Sequence, residues 1–297
     1  MKSGFISIAG LANAGKSTLI NALVGEKVAI VSWRPQTTRD RILGILNGED
    51  YQIAFVDTPG IHKTRNQLGE YMMKSVEVSL KDSDGVIYVI DAGRGVSSED
   101  ERFLNENSAK SKIIVAINKE DAVIRETIFT CLDKLKAFPN ICAIVPISAK
   151  KDKNLDELLS EVVKILPEGE ELFPEDMYTD KSMKFMAQEI VREKALFLLD
   201  KEVPYGIGVE VMKFELREDK PIYDISADIV CEKASHKAII IGKAGAMLKE
   251  IATQARADLE EMVDAKVFLT LFVKVKPDWR QSEYLMKELG YNKKDLK

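Results

Sequence analysis

Short apolar runs separated by amphipathic stretches lay out the first half of the chain. Runs at 4–9, 41–46, 51–56, 85–90, 112–117 and 141–147 are rich in Ile, Val and Phe and too short for buried helices, which predicts strands. Between them, apolar positions recur every three or four residues over 15–24, 68–81, 97–108, 122–136 and 155–165, which predicts helices buried along one face. Strand and helix alternate, so the expected fold is α/β, a doubly wound and mostly parallel sheet covered on both sides. The runs at 41–46 and 51–56 are joined only by Asn47-Gly48-Glu49-Asp50, too short for a crossover helix, so this pair should form an antiparallel hairpin with an edge strand. Asn154 with Glu157 resembles a capping box that opens the helix at 155–165.

The pattern changes near residue 166. Pro167 to Asp176 is acidic, with prolines near both ends, and reads as a boundary. Beyond it come a helix at 182–199, strands at 206–217 and 222–232, a short helix, a glycine turn, a long helix at 246–263 and a strand at 266–276. That order predicts a second, smaller α+β domain. The expected division is 1–166, a linker at 167–180, and 181–297. A length of 297 residues suits two domains. A formal charge of -5 argues against wholesale electrostatic binding of nucleic acid, so DNA is not an expected partner and any RNA contact must be local. Cys131, Cys142 and Cys231 are scattered and lack metal-ligand spacing, and no apolar run is long enough to span a bilayer, so the expected location is cytoplasmic.

Chemistry collects where the predicted strands end. After the first strand, Gly10-Leu11-Ala12-Asn13-Ala14-Gly15-Lys16-Ser17 satisfies G-x-x-x-x-G-K-[ST], with Thr18 next, in the strand-turn-helix setting a phosphate loop requires. Backbone N–H groups and a helix N-terminus would hold an anion there, Lys16 would neutralise β- and γ-phosphates, and the Ser17 hydroxyl would sit on Mg²⁺. After the third strand comes Asp57-Thr58-Pro59-Gly60, where the acid can hold Mg²⁺ and the Gly60 N–H can reach a γ-phosphate. Asn118-Lys119-Glu120-Asp121 and Ser148-Ala149-Lys150 follow the fifth and sixth strands. A carboxylate at Asp121 can accept from the N1–H and the exocyclic amine of guanine, a pair adenine does not offer. Lys119 would lie along the base, and N–H groups near Ala149 would donate to the guanine oxygen.

Taken together, these motifs resemble the set carried by the Ras-like translation-factor GTPases, over the whole first domain. That resemblance implies GTP and GDP as ligands, and a loop threonine that completes the Mg²⁺ shell while the γ-phosphate is present. Thr38 in Pro35-Gln36-Thr37-Thr38-Arg39 is the candidate, with Thr37 the alternative. Together with Thr38, the candidate catalytic groups are Lys16, Gly60 and Asn13. Ile61 stands where Ras-like enzymes place a water-orienting glutamine and cannot hydrogen-bond. Asn13 is of interest because some GTPases that use K⁺ in place of an arginine finger carry asparagine there; Arg34, Arg39 and Arg65 read as solvated loop residues, with a cation in cis as the alternative.

In the second domain the turn is Ile241-Gly242-Lys243-Ala244-Gly245. A G-x-x-G between two helices allows close approach of a sugar-phosphate chain, as in KH domains. Lys233, His236, Lys237, Lys243 and Lys249 surround it with no acidic residue from 233 to 249, a basic patch on an acidic chain. Ile239, Ile240, Ile241 and Met247 suit either a base-binding groove or the core. The element order matches the prokaryotic (type II) KH domain. With Trp279 and Leu289-Gly290-Tyr291, and with His62 after Ile61, the chain resembles the Era-like GTPases over its full length. The departure is Leu11-Ala12-Asn13 where that family more often has Arg-Pro-Asn, which removes no phosphate ligand. The resemblance implies recognition of the 3′ end of small-subunit ribosomal RNA during maturation of the 30S subunit. It also implies peripheral association with the inner membrane, and a switch in which GTP governs access to RNA.

Overall fold

The computed structural model describes residues 1–61, 64 and 66–296, and resolves into two compact units. Unit 1 comprises 1–63 and 72–180; unit 2 comprises 64–71 and 181–297.

Unit 1 is built on a six-stranded sheet of β1 (Lys2–Gly10), β2 (Ile42–Asn47), β3 (Tyr51–Asp57), β4 (Gly85–Asp91), β5 (Ile113–Asn118) and β6 (Ile141–Pro146), in the order β2-β3-β1-β4-β5-β6. β2 is antiparallel to β3 and every other pairing is parallel. The helices are α1 (Lys16–Val24), α2 (Gln67–Lys81), α3 (Ser98–Asn107), α4 (Arg125–Leu135) and α5 (Leu155–Ile165). β1, β4 and β5 are buried almost throughout, as expected of strands with helices on both faces. All the candidate loops therefore emerge from the carboxyl edge of one parallel sheet, where ligands bind in such folds.

One local expectation needs correction. Asn154 does not cap α5 with its side chain: it adopts a left-handed conformation (φ 58°) and its Nδ2 donates to Pro146 O at 2.8 Å, tying the helix start to the end of β6. A reciprocal capping box opens α3 instead, where Asp100 N donates to Ser97 Oγ and Ser97 N donates to Asp100 Oδ2. It escaped the sequence reading because Asp stands where Glu or Gln is usual. Residues 167–180 run beside β2 and β3. Buried Gln52 accepts at Oε1 from the N–H groups of Leu172 and Phe173, and Ile45 N donates to Tyr178 O at 2.9 Å, which covers the edge strand.

In unit 2, helix α6 (Met183–Leu198) precedes strands β7 (Gly208–Leu216) and β8 (Ile222–Cys231), helices α7 (Ala234–Ile241) and α8 (Ala246–Val263), and strand β9 (Lys266–Val275). A short helix α9 (Glu283–Glu288) follows. The sheet order is β7-β8-β9, antiparallel then parallel. Val209, Val211, Ile225, Ala227 and Ile229 point to one face and pack with Ile190, Ile251 and Leu259 of α6 and α8 into a single core. Trp279 is fully buried and its Nε1 donates to Gly206 O at 2.9 Å, which satisfies the indole inside the fold.

Candidate functional site

The turn from β1 into α1 wraps around the Lys16 ammonium. Its Nζ donates to Gly10 O at 3.0 Å and Leu11 O at 3.1 Å, and burial lowers its pKa to about 8 against the opposing pull of Asp57. Gly15 sits at φ 96°, and a Cβ there would lie 2.3 Å from Asn118 Nδ2. Only glycine permits both the left-handed backbone and that approach.

Three hydroxyl and carboxylate groups from separate loops meet beside the turn. Ser17 Oγ donates to Asp57 Oδ2 at 2.8 Å, Thr38 Oγ1 donates to the same oxygen at 3.1 Å, and the two hydroxyls lie 2.8 Å apart. Asp57 is fully buried. Burial raises its pKa, while the Lys16 charge and the bonds from Ser17 and Thr38 pull it down. Its Oδ1 is buried with no hydrogen-bond partner among the described residues. An orphaned carboxylate oxygen beside two hydroxyls fits a hard cation such as Mg²⁺, with the remaining ligands left to phosphate and water. Among the described residues no group of three or more His, Cys, Asp or Glu is gathered for a metal. Thr37 faces its own loop, donating to Arg34 O at 2.7 Å, so the geometry brings Thr38 rather than Thr37 to Ser17 and Asp57. The Thr58 hydroxyl is likewise spent on the backbone, donating to Ile8 O at 2.8 Å.

The pocket over this cluster is lined by Ala12, Asn13, Gly15, Lys16, Ser17, Thr18, Thr37, Thr38 and Gly60. It also takes in Arg34, one of the alternative cations, which is buried rather than solvated, together with Val31, Ser32 and Gln36, which the sequence did not nominate. Arg39 is buried beside the loop, and Arg65 and His62 lie outside the described residues. A Cβ on Gly60 would come within 2.9 Å of Ala12 Cα, so that residue packs backbone to backbone against the phosphate turn. The Ile61 N–H donates to Gly10 O and its side chain packs on the core cluster around Tyr88 and Val115. It is a structural residue of the sheet end, aimed away from water chemistry.

The base-recognition loops are tied to the phosphate turn by one amide. Asn118, 2% exposed, donates from Nδ2 to Ala14 O at 2.9 Å and accepts at Oδ1 from Ala149 N at 3.0 Å and Lys119 N at 2.8 Å. Lys119 Nζ donates to Asn13 O at 2.8 Å and to Asp91 Oδ2 at 2.6 Å. The Asp91 partner was missed, although an acid ending the apolar run 85–90 was a visible signal. Asp121 is solvent-facing; Ser148 Oγ donates to its Oδ1 at 2.6 Å and holds the carboxyl below the usual range, so it is an anion ready to accept. Lys150 follows at the exposed rim.

In unit 2 the turn Gly242 to Gly245 stands between α7 and α8, with Ala244 in a left-handed conformation (φ 52°) and Lys243, Ala244 and Gly245 outside the buried core. Lys233, Lys237 and Lys249 are not buried either, whereas His236 is, at 6% exposure. Ile240 is fully buried, so it is a core residue and no part of a groove; Ile239 is 48% exposed; Ile241 and Met247 pack on the edge of the core. Helical geometry explains the split, since consecutive residues point 100° apart. Among the described residues no helix is long and apolar enough to cross a membrane.

A P-loop with the Asp57 to Gly60 and Asn118 to Asp121 loops beside it, followed by a domain with a G-x-x-G turn, defines the class: a guanine-nucleotide-binding GTPase joined to a KH domain. The model of a 50S ribosome-binding GTPase family matches residues 5–119, and that of the KH domain matches residues 202–280. GTPase Era of Clostridium kluyveri is 50% identical over 98% of this chain and 99% of its own length, and that of Clostridium novyi is 48% identical over 98% and 99%. A crystal structure of an Aquifex aeolicus Era variant bound to GDP and aluminium fluoride superposes with a TM-score of 0.94 at 41% identity, covering 98% of this chain and 100% of that one. A structure of Era with MgGDPNP and nucleotides 1506–1542 of 16S ribosomal RNA has the same score and identity, covering 98% and 99%. The chain belongs to the GTPase Era family, and its reaction is hydrolysis of GTP to GDP and phosphate.

Proposed function

We propose that this protein is a GTP-driven switch that binds small-subunit ribosomal RNA near its 3′ end and acts in maturation of the 30S subunit in the cytoplasm. The observation that carries the reading is the full-length likeness to Era solved with MgGDPNP and a 16S ribosomal RNA segment, on a chain that offers an unburied lysine-flanked G-x-x-G turn. In this reading residues 1–166 perform the nucleotide chemistry, 181–297 bind RNA, and 167–180 join them.

Lys16 and the N–H groups of Gly10 to Ser17 position the β- and γ-phosphates, and Asp121 with Asn118, Lys119, Ser148 and Ala149 selects guanine. Ser17, Thr38 and Asp57 hold Mg²⁺, which when bound neutralises charge between the phosphates. Thr38 reaches that cluster from a loop that responds to the γ-phosphate, so hydrolysis releases the loop. Because the Ile61 side chain offers no polar group, either backbone groups such as the Gly60 N–H orient the water with the help of a cation or catalysis waits for a partner; Asn13, in the phosphate turn, is the residue that would help hold K⁺ there. Replacing K⁺ by Na⁺ should then slow hydrolysis in the wild type but not in Asn13→Ala. Equal rates in the two salts would exclude the K⁺ role.

Coupling between the ligands is reciprocal: RNA changes GTP affinity by the factor by which GTP changes RNA affinity. Crosslinking followed by sequencing of the bound RNA, in GDPNP and in GDP, tests partner and switch together. The reading predicts enrichment of the small-subunit 3′ end that differs between the two states. RNA spread evenly over the ribosome in both would refute it. Peripheral association with the inner membrane is part of the same proposal, and flotation with vesicles of anionic lipid measures it.

A further inference from the structure

Helices α6, α7 and α8 pack on one face of the three-stranded sheet of unit 2. Alternation along β9 sends Val267 and Val273 into the core and Phe268, Thr270, Phe272 and Lys274 to the other side. Phe268 is 59% exposed and Phe272 53%, and Met212, at the bulge between β7 and β8, is exposed on the same side. Two large exposed rings on a chain with 7% aromatic residues call for a partner.

Charge on this face is paired: Glu215 lies 3.2 Å from Lys213 and Glu210 lies 3.5 Å from Lys276. The two β8 carboxylates that oppose the rings are already neutralised. Asp224, across from Phe268, is bonded by Arg217 at 2.7 Å and lies 3.5 Å from Lys213; Asp228, across from Phe272, is paired with Lys274 at 2.6 Å. The Arg217 guanidinium also lies 5.6 Å over the Phe268 ring, which makes that ring part of a cation–π pair. A groove of about 610 Å³ runs from Lys237 and Ile241 of α7, next to the G-x-x-G turn, to Phe272 and Lys274 of β9 and Ser226 of β8. The sheet face is thus continuous with the candidate RNA groove.

We propose that the uncovered sheet face is a stacking platform for single-stranded RNA leaving the G-x-x-G groove, with Phe272 and then Phe268 each carrying one base. The inference rests on the RNA-binding reading above. Four residues of strand separate the rings by about 13 Å, so one ring alone cannot serve both bases. Lys237, on the groove between the turn and the sheet, would meet the phosphates, and stacking tolerates any base, so the platform adds affinity and length of footprint rather than sequence preference.

The test is fluorescence anisotropy with the full chain in GDPNP, using labelled single-stranded RNA from the small-subunit 3′ end. One RNA has about four nucleotides, the length a G-x-x-G loop clamps, and one about ten. Wild type should bind the longer RNA more tightly. Phe272→Ala and Phe268→Ala should each weaken the longer RNA by about 5- to 150-fold and leave the shorter unchanged, while Phe272→Trp should restore binding. Both rings are exposed, so the variants should melt as wild type does. The control Lys243→Ala should weaken both RNAs alike. If wild type binds both RNAs, Lys243→Ala weakens both and the Phe variants match wild type, the platform is refuted while RNA binding stands. If wild type binds neither RNA, both readings fall. If wild type is a dimer in light scattering and the Phe variants are monomers with unchanged RNA affinity, the face is a self-interface and the platform is refuted.

Discussion

Removing the Asn118 amide should loosen both halves of the nucleotide site at once. Asn118→Ala deletes one bond donated to Ala14 O and two accepted from Ala149 N and Lys119 N, all within 3.0 Å, at a position 2% exposed. A neutral hydrogen bond contributes about 1 kcal/mol net, and a buried partner left unsatisfied costs about 1–3 kcal/mol. Lys119 N is at a loop and can be hydrated, so the three losses sum to about 3–5 kcal/mol rather than the upper limit. Against a stability of about 5–15 kcal/mol this is severe but survivable. Asn118→Asp is the discriminating companion. It keeps the acceptor for the two N–H groups but sets a carboxylate oxygen against Ala14 O, so it should be at least as damaging despite its conservative shape. Urea unfolding with and without GDP is the assay. With two compact units the trace need not be two-state, and the transition to score is the one GDP shifts. Its midpoint should fall for both variants, and fluorescent GDP should bind at least tenfold more weakly. A variant within about 0.5 kcal/mol of wild type, with unchanged GDP affinity, would refute the bridging role.

Nucleotide affinity should fall as pH rises above about 8. The buried Lys16 of the free protein titrates near there, below its ordinary 10.5, and phosphate favours its charged form, so binding takes up a proton in the window from about 8 to 10.5. Calorimetry of GDP binding in buffers of different ionisation enthalpy at the low end of that window should show the uptake, and none in Lys16→Ala. By the same sign, the nucleotide-free protein gains stability across this window, because the unfolded chain binds the extra proton. Thr38→Ala should weaken the GTP analogue in Mg²⁺ while sparing GDP, whereas Thr37→Ala should cost about 1 kcal/mol of loop stability and affect Mg²⁺ dependence little, since its hydroxyl serves Arg34 O. Titration with the analogue over a range of Mg²⁺ separates the two. Asp121→Asn should exchange guanine for xanthine preference, read as competition between GDP and XDP for the site.

Most of unit 1 was legible because its signals are local. Strands buried on both faces read as continuous apolar runs, and the phosphate turn, Asp57 to Gly60 and Asn118 to Asp121 each sit at the end of such a run, where the βα connection makes position in sequence and position at the sheet edge the same thing. The mostly parallel sheet followed from the alternation of strand and helix, and the antiparallel edge pair from a connection too short for a helix. Legibility stopped where a residue's role depends on what arrives from far along the chain. Asn118 reads only as the first residue after a strand until Ala14, 104 residues away, and Ala149, 31 residues away, are brought to its two amide atoms. Thr37 and Thr38 are identical chemistry one residue apart, and only the path of the loop turns one to its own backbone and the other to Asp57. Asn154 had the residue type of a cap, but the carbonyl of Pro146 competed for its side chain and won.

In unit 2 composition located the basic turn, yet it left Ile239, Ile240 and Ile241 undecided, because a run of three isoleucines carries no periodicity of its own. The rotation of α7 against the sheet buries Ile240 and exposes Ile239. The same holds for Phe268 and Phe272, which read as ordinary strand residues and became exposed because α6, α7 and α8 pack on the opposite face. What the amino-acid order determined by itself was the set of elements and the chemistry each loop carries, since these depend on neighbours in sequence. Which atoms meet, which of two equal residues serves, and which face stays open were decided by tertiary packing, because hydrogen bonds and burial act across space between segments that no local pattern connects.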